Sequence, residues 1–151
     1  MKINYKALLP ATVPAILVCM IFDAAVEYIL SRFTGISFLS FFEQKLHIHY
    51  GTRFFLLNFL LFSAEMFLVI CFYAVLRTHF QSPVKPAIIC SCFFIGFTYL
   101  LLFQMINLGI YPLTPALAFG VSTLVSFPGA VFTGALIYEW QKEETLPLEA
   151  R

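Results

Sequence analysis

Four stretches of the chain are apolar on every side rather than along one stripe. Residues 8–30, 54–76, 87–108 and 113–137 are each longer than the roughly 20 mainly apolar residues that a helix needs to cross the hydrocarbon layer. The pattern predicts an all-α integral membrane protein with four transmembrane helices, a single domain over residues 1–151. Turn and stop residues fall between the stretches. Arg32 and Gly35 follow the first, Gly51, Thr52 and Arg53 precede the second, Pro83 and Pro86 separate the second from the third, and Gly109 and Pro112 mark a tight third turn. Tyr28, Tyr111, Tyr138 and Trp140 sit near the ends, where amphipathic rings settle at headgroup level. Residues 141–151 read as a short polar tail.

The loop over residues 31–52 carries its own pattern. Ser40 and Glu43 form a potential capping box, Gly51 is a stop, and Phe42 and Leu46 share one side while Gln44, Lys45, His47 and His49 lie away from them. This predicts a short amphipathic helix in the first extramembrane loop, too short to span.

Composition agrees with the pattern. Hydrophobic residues make up 61% and charged residues 11%, against roughly 45–50% and about 25% in a soluble domain. The 19 phenylalanines read as lipid-facing bulk. A net charge of +1 and the absence of any long basic or acidic block give no reason to expect nucleic acid as a partner. Cys19, Cys71, Cys90 and Cys92 all lie within predicted spans without a C-x-x-C motif, which argues against disulfide exchange. The first apolar run outlasts the usual signal-peptide core of about 7–15 residues, and Asp23 falls where a cleavage site would be read. A retained first span is expected.

Orientation follows from lysine and arginine. With both termini inside, Lys2, Lys6, Arg77, Lys85, Lys142 and Arg151 face the inner side, against Arg32, Lys45 and Arg53 outside. This predicts N-in and C-in, with a bacterial inner membrane as the expected location.

The polar residues inside the spans carry the functional question. Asp23 and Glu27 are four apart and therefore share one helix face. Asn58 lies two turns from Glu65 on a similar face, Glu65 is central in its span, and Gln104 and Asn107 fall in the last two turns of theirs. An ionised acid at the bilayer centre costs about 2.5–3.5 kcal/mol on insertion scales, so these groups should turn inward and meet. The expectation is a polar chamber built from Asp23, Glu27, Asn58, Glu65, Gln104 and Asn107, a candidate proton or cation path. Small residues recur every four positions as Ala11, Ala15 and Cys19 in the first span, and as Ala118, Ser122, Ser126, Ala130 and Gly134 in the fourth. Such rows let helix backbones approach closely, within the chain or toward another subunit.

Other chemistry is thin. His47 and His49 are the weak candidates for a metal, since residues two apart in a helix point away from each other. No hydrolase, metalloprotease, nucleotide or dinucleotide motif is present, so no residue is assigned a catalytic role and no cofactor is predicted. The first functional expectation is a small non-catalytic subunit or assembly partner, set among lipid and either other transmembrane chains or copies of itself. The alternative is a proton- or cation-coupled carrier of small solutes using the intramembrane carboxylates. A membrane-embedded enzyme acting on a lipid or quinone ranks third.

Overall fold

A computed structural model describes residues 3–35 and 51–144. The loop helix expected around residues 40–50, with His47 and His49, and the tail beyond residue 144 lie outside the described residues. The architecture is four helices: α1 (Tyr5–Thr34), α2 (Thr52–Arg77), α3 (Val84–Asn107) and α4 (Leu113–Glu144). All four are long and apolar enough to cross a membrane, and the protein is an integral membrane protein.

Caps, and not the edge of the apolar run, set both ends of α1 and the end of α3. The Asn4 side chain accepts the Lys6 backbone N–H at 3.2 Å to start α1. Gly35, at φ 68°, ends it with its N–H donated to the Ser31 carbonyl. Gly109, at φ 69°, closes α3 in the same left-handed way, its N–H donated to Ile106. For this reason α1 begins before residue 8; α4 runs past residue 137 into the polar segment. Pro86, expected in a loop, is the third residue of α3, where a missing N–H leaves no helical bond unmade. Intramembrane hydroxyls mostly bond to their own helix: Thr12, Ser63, Ser91, Thr98, Thr123 and Thr133 each donate to the carbonyl four residues earlier.

The helices α1 and α4 form the most extensive pair; α3 rests mainly on α4, α2 mainly on α1, and α2 touches α3 and α4 only lightly. Ala11, Ala15, Cys19, Ser126 and Ala130 are buried, and Ala118 and Ser122 lie further along α4, partly and fully buried. Gly134 marks the tightest approach. A Cβ there would stand 2.3 Å from Ile70 Cδ1 and 3.3 Å from both the Ala11 carbonyl oxygen and Ala15 Cβ.

Burial is uneven along the bundle. The main core joins Ala7 to Cys19 of α1, Met66 to Ala74 of α2, Ala87 and Cys90 of α3, and Phe127 to Tyr138 of α4. It fills the half nearer the chain termini. In the other half, the loop end, residues 55–61 of α2 are exposed on all sides, as is most of α3 from residue 99 onward.

Candidate functional site

The packed and loosely packed halves meet at a cavity of about 550 Å³ lined by all four helices. It begins where the core ends, since Glu65 and Ser126 line it while the next residues, Met66 and Phe127, belong to the core. From there it extends to Leu108 and Ile110 at the α3–α4 turn. Its polar lining is Asp23 from α1, Glu65 from α2, Thr98 and Gln104 from α3, and Thr123 and Ser126 from α4. Phe62, Phe119 and Phe127 add three aromatic rings, and Leu101, Leu102 and Met105 an aliphatic wall. No lysine, arginine or histidine among the described residues lines it.

The two carboxylates differ in what they meet. Asp23 Oδ1 accepts the Ser122 hydroxyl at 2.5 Å across the α1–α4 interface, and Oδ2 accepts the Cys19 thiol at 3.8 Å. Ser122 is thus turned away from its own helix carbonyls to serve a group 99 positions earlier. Glu65 is exposed, and no side-chain donor among the described residues meets it. Asp23 also borders a second, smaller cavity of about 240 Å³, shared with Met20, Phe55, Asn58, Phe59 and Phe62. The structure therefore brings Asp23, Glu65 and Gln104 to one cavity and sets Asn58 beside Asp23 in the next. Glu27 and Asn107 line neither of these two. Glu27 is partly buried with contacts of its own, whereas Asn107 is exposed at the end of α3. Among the described residues no three His, Cys, Asp or Glu side chains converge as metal ligands would.

A second polar cluster, which the sequence pattern did not single out, closes the terminal end. Glu139 of α4 accepts two bonds from Arg77 of α2, Nε to Oε1 at 2.7 Å and Nη2 to Oε2 at 3.0 Å. The Tyr73 hydroxyl donates to the same Oε1 at 3.3 Å, and Arg77 Nη1 reaches the Phe80 carbonyl. The Tyr73 ring meets Tyr138 edge-on at 5.8 Å, and the Tyr138 hydroxyl accepts the Asn4 backbone N–H at 2.9 Å. One network thus ties the start of α1 and the ends of α2 and α4. A fork-to-fork arginine–carboxylate pair holds both partners in one orientation.

These observations define a four-helix integral membrane protein, locked at one end and holding an acid-lined chamber toward the other. No family model, curated protein or solved structure matches the chain.

Proposed function

We propose that the protein is a proton- or cation-coupled carrier of small solutes, with the Asp23–Glu65 chamber as its binding site. The observation that carries this reading is that two acids from different helices line one cavity of ligand-binding size with no basic residue beside them. A structural role would leave the acids matched to donors, and among the described residues Glu65 is not so matched. Its carboxylate is exposed and so accessible to a proton or a cation as its partner. The locked terminal end and chambered loop end correspond to one access state of such a carrier. The distribution of lysine and arginine supports termini on the inner side and a chamber facing the outer side of a bacterial inner membrane.

The test is reconstitution in liposomes loaded with a pH dye, with a panel of monovalent inorganic cations and organic amines added outside. At least one panel member should move protons through wild-type protein and none through Glu65→Gln of the same monodispersity. Equal fluxes in the two proteins would overturn the reading.

A subunit role is the second reading, favoured by the loop-end halves of α2 and α3, which stand exposed, with Asn107 exposed at the end of α3. Another transmembrane chain, or a second copy of this one, would cover them. Mass spectrometry from mild detergent should then show a partner at fixed stoichiometry, and a bare monomer that transports would exclude it.

A further inference from the structure

The chamber's lining specifies more than a charge. Beside its two acids, most of the wall is carbon: Phe62, Phe119, Phe127, Leu102 and Met105 come from three helices. An inorganic cation entering here would have to give up its water for two carboxylates and a few hydroxyls. Among the described residues no group of three His, Cys, Asp or Glu side chains is placed to hold a metal ion. An organic cation has a smaller hydration shell to lose and an apolar body to bury, and aromatic faces attract its charge. A cavity of about 550 Å³ accommodates a drug-sized molecule, far more than a metal ion or ammonium needs.

We propose that this chamber binds an amphipathic organic monocation, its charge between Asp23 and Glu65 and its apolar body against Phe62, Phe119 and Phe127. This names the substrate class of the chamber and rests on the carrier reading. The division of labour follows from the hydrogen bonds. Asp23, already supplied by Ser122 and Cys19, is the fixed counter-charge. Glu65, with no donor among the described residues, exchanges its proton for the ligand.

The experiment is calorimetric titration of the full chain in lipid nanodiscs with benzyltriethylammonium, against uncharged N,N-diethylbenzamide and against empty nanodiscs. The expected result is saturable binding of one ammonium per chain, weakened about tenfold or more in both Asp23→Asn and Glu65→Gln, with the amide failing to saturate. A second readout needs no variant: the ¹³C-methyl signal of Met105, which lines the cavity, should shift in proportion to saturation. An amide that binds as tightly as the ammonium, or a Met105 signal that does not move, overturns the proposal. Absent ammonium binding with Glu65-dependent proton movement driven by an inorganic cation overturns the substrate class and leaves the carrier reading standing. Saturable ammonium binding that moves Met105, with no solute flux in liposomes, overturns the carrier reading and leaves the binding site standing.

Discussion

Replacing Glu139 tests whether the terminal lock holds the bundle together. The side chains of Arg77 and Glu139 are only 9% and 19% exposed, so solvent screens the pair weakly. In Glu139→Gln the amide keeps one acceptor for Arg77 but turns an N–H toward the other guanidinium nitrogen, and the charge is lost. One charge-assisted bond contributes about 1.5–3 kcal/mol, which sets the expected loss for this variant. Glu139→Ala removes both carboxylate oxygens, so Arg77 Nε and Nη2 and the Tyr73 hydroxyl lose these acceptors while Arg77 Nη1 keeps the Phe80 carbonyl. That loss should reach about 3–5 kcal/mol, the range for removing one partner from a buried pair.

The assay is reversible unfolding in mixed micelles titrated with a denaturing detergent, applied to both variants, to Arg77→Leu and to Arg77→Leu/Glu139→Leu. If the lock is a buried pair, the double variant is less destabilised than the sum of its singles, because neither charge is then stranded. A Glu139→Gln protein within about 0.5 kcal/mol of wild type would show that the pair behaves as an exposed one, and the argument from its geometry would be refuted.

Two other substitutions probe the α1–α4 interface, one within the core and one beside the chamber. Gly134→Ala sets a Cβ 2.3 Å from Ile70 Cδ1, and Ile70 is fully buried, so the core must shift at about 1–3 kcal/mol. The loss appears as a lower midpoint in the same titration, and Ile70→Val in the Gly134→Ala background should recover part of it. Ser122→Ala removes the hydroxyl that Asp23 accepts at 2.5 Å and should cost about 1–3 kcal/mol, with Asp23→Asn costing less because its amide oxygen still accepts from Ser122. The reverse order would mean that Asp23 does not depend on that bond.

The four spans were legible because lipid imposes a long apolar run on every crossing helix, and no other fold of this size would contain four. Their ends were less so. Apolarity marks where hydrocarbon stops, whereas Asn4, Gly35 and Gly109 mark where the helix stops. Asp23, Glu65 and Gln104 stood out singly, since polar groups in a span are costly. Which of them meet was not legible, because it depends on how α2 crosses α1, and residues exposed on all sides carry no periodic face to read. The lock escaped notice for a related reason. Glu139 falls beyond the apolar run that defined the fourth span, and Arg77 served only as a charge for orientation. The three chamber phenylalanines were indistinguishable in sequence from the other members of a phenylalanine-rich chain.

The uneven packing of this bundle links its two polar sites. A carrier with this geometry has to close the half that is now loosely packed and loosen the half that is now packed. Small residues favour the first step: Ser122, Ser126 and Ala130 of α4 already run along α1, and side chains of this size leave room for one helix to slide along the other. The second step requires breaking the Arg77–Glu139 pair, because α2 and α4 touch only lightly elsewhere and this pair is a principal bond between them. A lock of a few kcal/mol is a suitable magnitude for that role. A much stronger one would hold a single state, and a much weaker one would leave both ends free to open together, which would make a leak. Under the carrier reading, the charge at Glu65 and the ion pair at Glu139 are therefore two ends of one equilibrium, with ligand in the chamber weighed against a bond at the opposite end of the bundle.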